Sequence, residues 1–297
     1  MDCPNRSTSL VALLLLLVTA CEDPIDVPSS FESPRIVVDA WLTNLERPQT
    51  ITLSETVDYF SAGEPPSVTD AQVQVCNINA GQCVAFVHQN DGQYTWTPQP
   101  GASLGKIGDT LVLGIARGEE RYGSQTTIRR TARIDSISLE AETGNFALDD
   151  GIYAQLFAFD LPGRGDTYWV RAYKNDTLLN RPFEQIIAYD ATFDAGADID
   201  GTYFLTALRL GINALDDDGF FVPYEPGDRI YVEVHSINLI AFQFLSIAVE
   251  QITNEGIFTS PLANAPSNIF QESNQEPVLG IFNVAAVDSL SVIVEED

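Results

Sequence analysis

Histidine, basic side chains and catalytic signatures are scarce in this chain. It holds two histidines, His88 and His235, and 15 Lys and Arg against 42 Asp and Glu. The histidines lie far apart on strand-like segments, so each reads as an exposed strand residue rather than a base or a metal ligand. No Gly-x-Ser-x-Gly, His-Glu-x-x-His, phosphate-binding loop or dinucleotide glycine run is present, which removes the usual signatures of hydrolases, zinc peptidases and nucleotide enzymes. The formal charge of −27 opposes nucleic acid and anionic lipid surfaces as electrostatic partners. The acidic residues are nonetheless scattered through a chain that is 45% hydrophobic, which describes a folded protein with an acidic skin rather than a disordered one. A long apolar run is missing as well. The stretch from Leu10 to Ala20 falls short of the ~20 residues that a spanning helix requires.

That short run has the length of a signal-peptide apolar region, and it closes on Val18-Thr19-Ala20-Cys21. A branched apolar residue three positions before a cysteine, with a small residue directly before it, is the pattern cut by bacterial lipoprotein signal peptidase. The expectation is a signal peptide over 1–20 and a diacylglyceryl group on the Cys21 sulfur, so that acyl chains hold the protein to a bilayer. Glu22, Asp23, Pro24, Asp26, Pro28, Ser29 and Ser30 follow, too polar and proline-bearing to bury a core, and residues 21–33 read as a flexible acidic tether. Acidic residues directly after the lipidated cysteine resemble the surface-export signal of Bacteroidota lipoproteins. That resemblance implies an outer-membrane protein facing the cell exterior.

From Pro34 onward, period two dominates. Segments such as "RIVVDAWLT", "AQVQVCN", "GDTLVLGI", "GDTYWVRAY" and "GDRIYVEVHSI" alternate or run β-branched between Gly, Pro, Asn and Asp. The expected fold is all-β with one helix, in two antiparallel Ig-like β-sandwich domains at 34–133 and 134–297. The helix is expected at about 239–254 within the second, where Leu239, Phe242, Leu245, Val249 and Ile252 fall near helical spacing. Three strands open on Gly-Asp, at Gly108, Gly165 and Gly227, a turn chemistry in which glycine supplies positive φ and aspartate bonds its own following amides. Arg164-Gly165-Asp166 spells an adhesion tripeptide, but it opens one of these strands and reads as a turn.

With Cys3 in the signal and Cys21 lipidated, Cys76 and Cys83 remain. They flank a Gly81-containing turn in "VQVCNINAGQCVAF", where facing positions on a hairpin in an oxidising envelope point to a disulfide. Asp194, Asp198 and Asp200 in "DAGADIDG", and Asp216, Asp217 and Asp218 before Gly219, offer hard oxygen ligands that suit calcium. Neither group has EF-hand spacing, and acidic loops are more often simply solvated. No other cofactor is indicated. Carboxylates are so numerous that chance pairs are certain, and no pair is singled out for hydrolysis of a surface polymer.

Several segments together resemble a known family. "IVVDAWLTN" (36–44), "ITLSET" (51–56), "VTDAQVQV" (68–75) and "GQYTW" (92–96), with the acidic lipobox sequence, are similar to the N-terminal half of Bacteroidota lipoproteins catalogued as domain of unknown function 4249. "EPGDRIYVEVHSIN" (225–238), "PSNIF" (266–270) and "LGIFNVAA" (279–286) are similar to its C-terminal half. Ile281 departs from the family, which more often shows an aromatic before Phe282. The resemblance implies a surface lipoprotein that partners a TonB-dependent outer-membrane receptor in nutrient capture or uptake, and it carries no catalytic residues. A structural or assembly subunit is the alternative, and a carboxylate-based surface hydrolase a third.

Overall fold

The computed structural model describes residues 34–57, 63–146, 148–192, 197, 199–204, 208–253 and 264–295. The expected signal run, Cys21 and the tether lie outside the described residues. The first half supplies β1 (Ile36–Thr43), β2 (Gln49–Glu55), β3 (Gln72–Asn77), β4 (Gln82–His88), β5 (Gln93–Trp96), β6 (Thr110–Arg117) and β7 (Glu120–Thr127). On β1 the alternation is direct: Ile36, Val38, Ala40 and Leu42 are buried, while Val37, Asp39 and Trp41 point to the other face. Leu53, Leu111, Leu113 and Tyr122 join the buried set, and the sheet curls around this first core.

The second half begins with the hairpin of β8 (Arg133–Glu142) and β9 (Gly151–Phe159). It continues with β10 (Thr167–Lys174), β11 (Thr177–Leu178), β12 (Ile186–Tyr189), β13 (Arg229–Ser236), β14 (Phe270–Gln271), β15 (Leu279–Ala285) and β16 (Val287–Ile293). Strands β11, β10, β13 and β16 lie side by side, with β12 also on β10. Val170 and Ala172 of β10 and Val232 and Val234 of β13 pack with Ala154, Leu156 and Ala158 of β9 in a second core. The described residues are thus all-β with one α-helix, their strands arranged in two sandwich-like halves.

The segment 134–297 does not stay within the second half. Strands β14 and β15 return to the first sheet, whose order is β14-β7-β6-β3-β4-β5-β2-β1-β15, and β15 runs parallel to β1. Phe282 and Val284 enter the first core from β15, and Ile269 and Val278 enter it from the segments beside β14 and β15. A boundary drawn along the chain therefore does not separate the two cores.

Helix α1 (Leu239–Thr253) starts where Asn238 Oδ1 accepts the Ala241 amide at 2.8 Å, an N-cap bond that satisfies one of the free first-turn donors. Among the described residues no helix is long and apolar enough to cross a membrane. The Gly-Asp strand openers share one geometry: Gly108, Gly165 and Gly227 have φ of 92, 92 and 90°. Two of the aspartates bond backward rather than forward: Asp109 Oδ2 accepts the Lys106 amide and Asp228 Oδ2 the Glu225 amide, at 3.1 and 2.9 Å, whereas Asp166 pairs with Arg129 and Arg130.

Cys76 and Cys83 stand opposite each other on β3 and β4 and form the disulfide, with seven residues of sequence separation. Chain entropy for so short a loop is worth about 2.5 kcal/mol. Replacing both by serine is expected to lower unfolding stability by about that amount in urea titrations while leaving the far-ultraviolet dichroism unchanged.

Candidate functional site

The face of β10 turned away from the second core carries Trp169, Arg171 and Tyr173, paired across to His235, Glu233 and Tyr231 of β13. Asp39 and Trp41, on the outward face of β1, oppose them, as does Arg47 in the turn after β1. The Trp41 and Trp169 rings meet edge to face with centroids 5.1 Å apart, and Phe244 of α1 lies 6.3 Å from Trp41. Ile281 is buried in the same apolar cluster.

Glu233 is fully buried and fully used. Arg47 Nη1 and Nη2 donate to its two oxygens at 2.6 and 3.2 Å, Tyr231 donates its hydroxyl at 2.8 Å, and His235 Nε2 lies at 2.7 Å. Burial pushes this carboxyl upward, but the hydrogen bonds to His235 and Arg47 outweigh it and hold the group well below the usual carboxylate range. For His235 burial is the larger effect and keeps the ring below the ordinary imidazole value despite Glu233 beside it. The neutral ring bonds Glu233 through the Nε2–H tautomer. His235 is thus not the exposed strand residue that the sequence suggests: β13 lies between β10 and β16, and its outward face is covered by β1 and the β1–β2 turn. His88 is half-buried against the Tyr94 ring at 5.2 Å, with Nε2 shielded and unbonded.

Arg171 stands opposite Glu233 in register yet does not join that network. Its guanidinium lies over the Trp169 ring at 4.7 Å, and its Nε is buried without a hydrogen-bond partner. Across from it Asp39 touches solvent, yet desolvation raises its carboxyl above the ordinary value in spite of Trp41 and Arg171.

A second constellation lies at the ends of β9 and β12. Asp160, Asp190 and Asp200 bring carboxylate oxygens within 4.8 Å of one another, and they are the one such triad among the described residues. Asp160 accepts the Tyr168 hydroxyl at 2.5 Å and the Gly201 amide at 3.1 Å; Asp190 accepts the Gly165 and Asp166 amides, each at 2.8 Å. Asp200 accepts the Gly163 amide at 2.9 and 3.0 Å. Burial raises the Asp160 carboxyl beyond what these bonds offset, and the negative charges of Asp190 and Asp166 add to it. Arg130 and Arg129 pair with the buried Asp166, so the Arg-Gly-Asp run ends on a buried carboxylate.

Of the sequence-derived calcium ligands, Asp200 reaches this triad, while Asp194 and Asp198 lie outside the described residues. Asp216, Asp217 and Asp218 do not converge: Asp216 Oδ1 accepts the Asp218 and Phe220 amides at 3.0 and 2.9 Å, and Asp217 pairs with Arg181 at 2.8 Å. Turn formation and an ion pair use those oxygens instead. Asp160 and Asp190 escaped the sequence reading, although each directly follows an aromatic residue that ends a strand, a position where a carboxylate meets loop amides. The oxygen donors suit calcium. Calcium held there is expected to raise the melting midpoint by mass action, a rise that Asp190→Asn abolishes; an unchanged midpoint at millimolar calcium retires the ion from this site.

No curated protein matches the chain. The family model described as Domain of unknown function (DUF4249) matches residues 22–291, nearly the whole chain, and the protein belongs to that family.

Proposed function

We propose that the protein is a lipid-anchored, surface-facing outer-membrane subunit that assists a TonB-dependent receptor in capturing or admitting a nutrient, without catalysing a reaction itself. The observation that carries this reading is the junction at Cys21, where an apolar run ends at a lipobox and an acidic, proline-bearing tether follows. The tether leads into the β-rich body, which begins at β1. A folded body held near the membrane by a short tether works at high effective concentration, so weak contacts with a barrel suffice to keep it engaged. The abundance of carboxylates with few basic residues fits a soluble exterior domain rather than one that docks on lipid headgroups.

The test is a mild-detergent pull-down of the tagged, lipidated protein from native outer membranes, followed by mass spectrometry. A stoichiometric TonB-dependent receptor is expected, together with reduced uptake and unchanged receptor abundance when the gene is deleted. Reduced receptor abundance would instead assign an assembly role. Absence of any receptor under several detergents would sink both.

A further inference from the structure

The face of the first sheet turned away from its core holds a trough of about 520 Å³ over β3, β4, β6 and β7. Ala85, Gln74, Gly114 and Gly123 stand in register across those strands, and Phe270 of β14 pairs with Gly123 at the end of the row. Ala85 and the two glycines carry nothing beyond Cβ, so the floor lies close to the backbone. Backbone geometry does not demand glycine at either position. Neither has a positive φ, and the β6–β7 register runs without a bulge. Glycine inside such a strand marks a place where another group approaches the backbone closely. Over these two lie only the ends of flexible side chains.

Gln72, Gln74, Arg121 and Glu272 rim the floor. Gln74 Nε2 is 3.4 Å from a Cβ built at Gly114, and Glu272 Oε1 is 3.7 Å from one built at Gly123, so both side chains lean over the glycines. Glu272 donates its amide to the Arg121 carbonyl at 2.8 Å, which makes the two residues backbone neighbours. Their charges nonetheless do not pair. Among the described residues the Glu272 carboxylate and the amides of Gln72 and Gln74 have no hydrogen-bond or ionic partner. Arg121 Nη1 donates to the Gly118 and Glu120 carbonyls, at 2.8 Å each, which orients the guanidinium and leaves Nε and Nη2 unused. A cavity of this volume with a few convergent polar groups has the make-up of a small-molecule site.

The charges narrow the ligand. A simple cation meets Arg121, and a simple anion meets Glu272 and the field of a chain at −27. A molecule carrying both an ammonium and a carboxylate serves the two side chains at once. Adjoining strands stand about 5 Å apart, so the two ligand charges must lie at one end of the molecule. A free α-amino acid has them on one carbon, whereas the termini of an extended peptide separate by about 3.3 Å with each residue. The rest of the ligand then lies on the glycine floor. There the amides of Gln72 and Gln74, each both donor and acceptor, suit a polar side chain.

We propose that this trough binds a free α-amino acid with a polar side chain, its carboxylate on Arg121 and its ammonium on Glu272. For its biological use the site rests on the capture role proposed above, as the place where the nutrient is held. Full-length lipidated protein in detergent is titrated by calorimetry with the free L-amino acids, then with the N-acetyl and methyl-ester forms of any that bind. At least one amino acid with a polar side chain is expected to bind saturably, and blocking either end to weaken it about tenfold or more, the cost of a hydrogen bond to a charged group. Glu272→Gln and Arg121→Gln are each expected to do the same with melting midpoints retained. Gly123→Val, which raises the floor at a strand position open to a β-branched residue, is expected to abolish binding without lowering the midpoint. No saturable binding by any amino acid, equal binding of the blocked forms, or binding unchanged in these variants would each overturn the site. Receptor capture reports separately: amino-acid binding without a receptor sinks the accessory role and leaves the site, and the reverse outcome sinks the site alone.

Discussion

Gly280→Ala is expected to destabilise the protein by about 4 kcal/mol or more, enough to leave it largely unfolded or protease-sensitive at 37 °C. Gly280 lies on β15 directly opposite Val38 of β1, with φ of 113°, a region that L side chains rarely enter. A Cβ built there falls on the Val38 carbonyl, deep inside contact distance, and its other nearest atoms are also Val38 backbone. Backbone cannot rotate away as a side chain does, so either β1 or β15 must leave the sheet. Since β15 closes the first sheet and inserts Phe282 into its core, the damage spreads to that core. Gly219→Ala is the control: its φ is 84°, but nothing lies within 4 Å of the added methyl. It carries the conformational penalty alone, about 1 kcal/mol. Equal urea midpoints for the two variants would refute the steric argument.

Arg47→Met is expected to cost about 3 kcal/mol. It strands the fully buried Glu233 carboxylate without its bidentate guanidinium partner, and the figure sits at the low end for a broken buried pair because the Arg47 side chain is 38% exposed. Adding Glu233→Gln is expected to recover a large part of the loss, since a neutral amide tolerates the site better than an unpaired charge. A double variant no more stable than Arg47→Met would mean that packing rather than charge governs this junction.

The same network predicts the direction of acid sensitivity. Glu233 and His235 both bind protons less readily in the folded chain than in the unfolded one. Their stabilisation is therefore complete above the unfolded values, about 6.5 for imidazole and about 4.3 for a glutamate, and is lost as pH falls below each. Stability should decline in two stages, first with His235 and then with Glu233. Asp39 and Asp160 are raised and act in the opposite sense, so the measurement is a difference. His235→Gln should flatten the stability profile between about pH 6.5 and 5 while the fall below about pH 4.5 persists. A wild-type-like slope in the upper window would show that His235 does not govern it.

Local order was legible and distant order was not. The alternation of β1, β6, β10 and β13, the Cys76–Cys83 hairpin, the positive-φ Gly-Asp strand openers and helix α1 all depend on residues within about one turn or hairpin of each other. Sequence pattern reports such neighbours because the backbone itself brings them together. The parallel docking of β15 on β1 is of another kind. Val38 meets Gly280 across almost the whole chain, and a strand's hydrogen-bonding groups are the same whichever strand they pair with. Nothing in the period-two signal of "LGIFNVAA" names its partner.

The same division holds for the candidate sites. The lipobox at Cys21 and the acidic tether are contiguous motifs that an enzyme or a membrane would read in linear order, and the sequence alone raises that expectation. The burial of His235, the assembly of Asp160, Asp190 and Asp200 at two strand ends, and the meeting of Asp39 and Trp41 with Trp169 and Arg171 come only from tertiary packing. Each requires side chains from separate strands to point into one space. Alternation says which face a residue occupies, whereas the pairing and stacking of sheets decide whether that face meets water, a core or the opposite wall of a cleft.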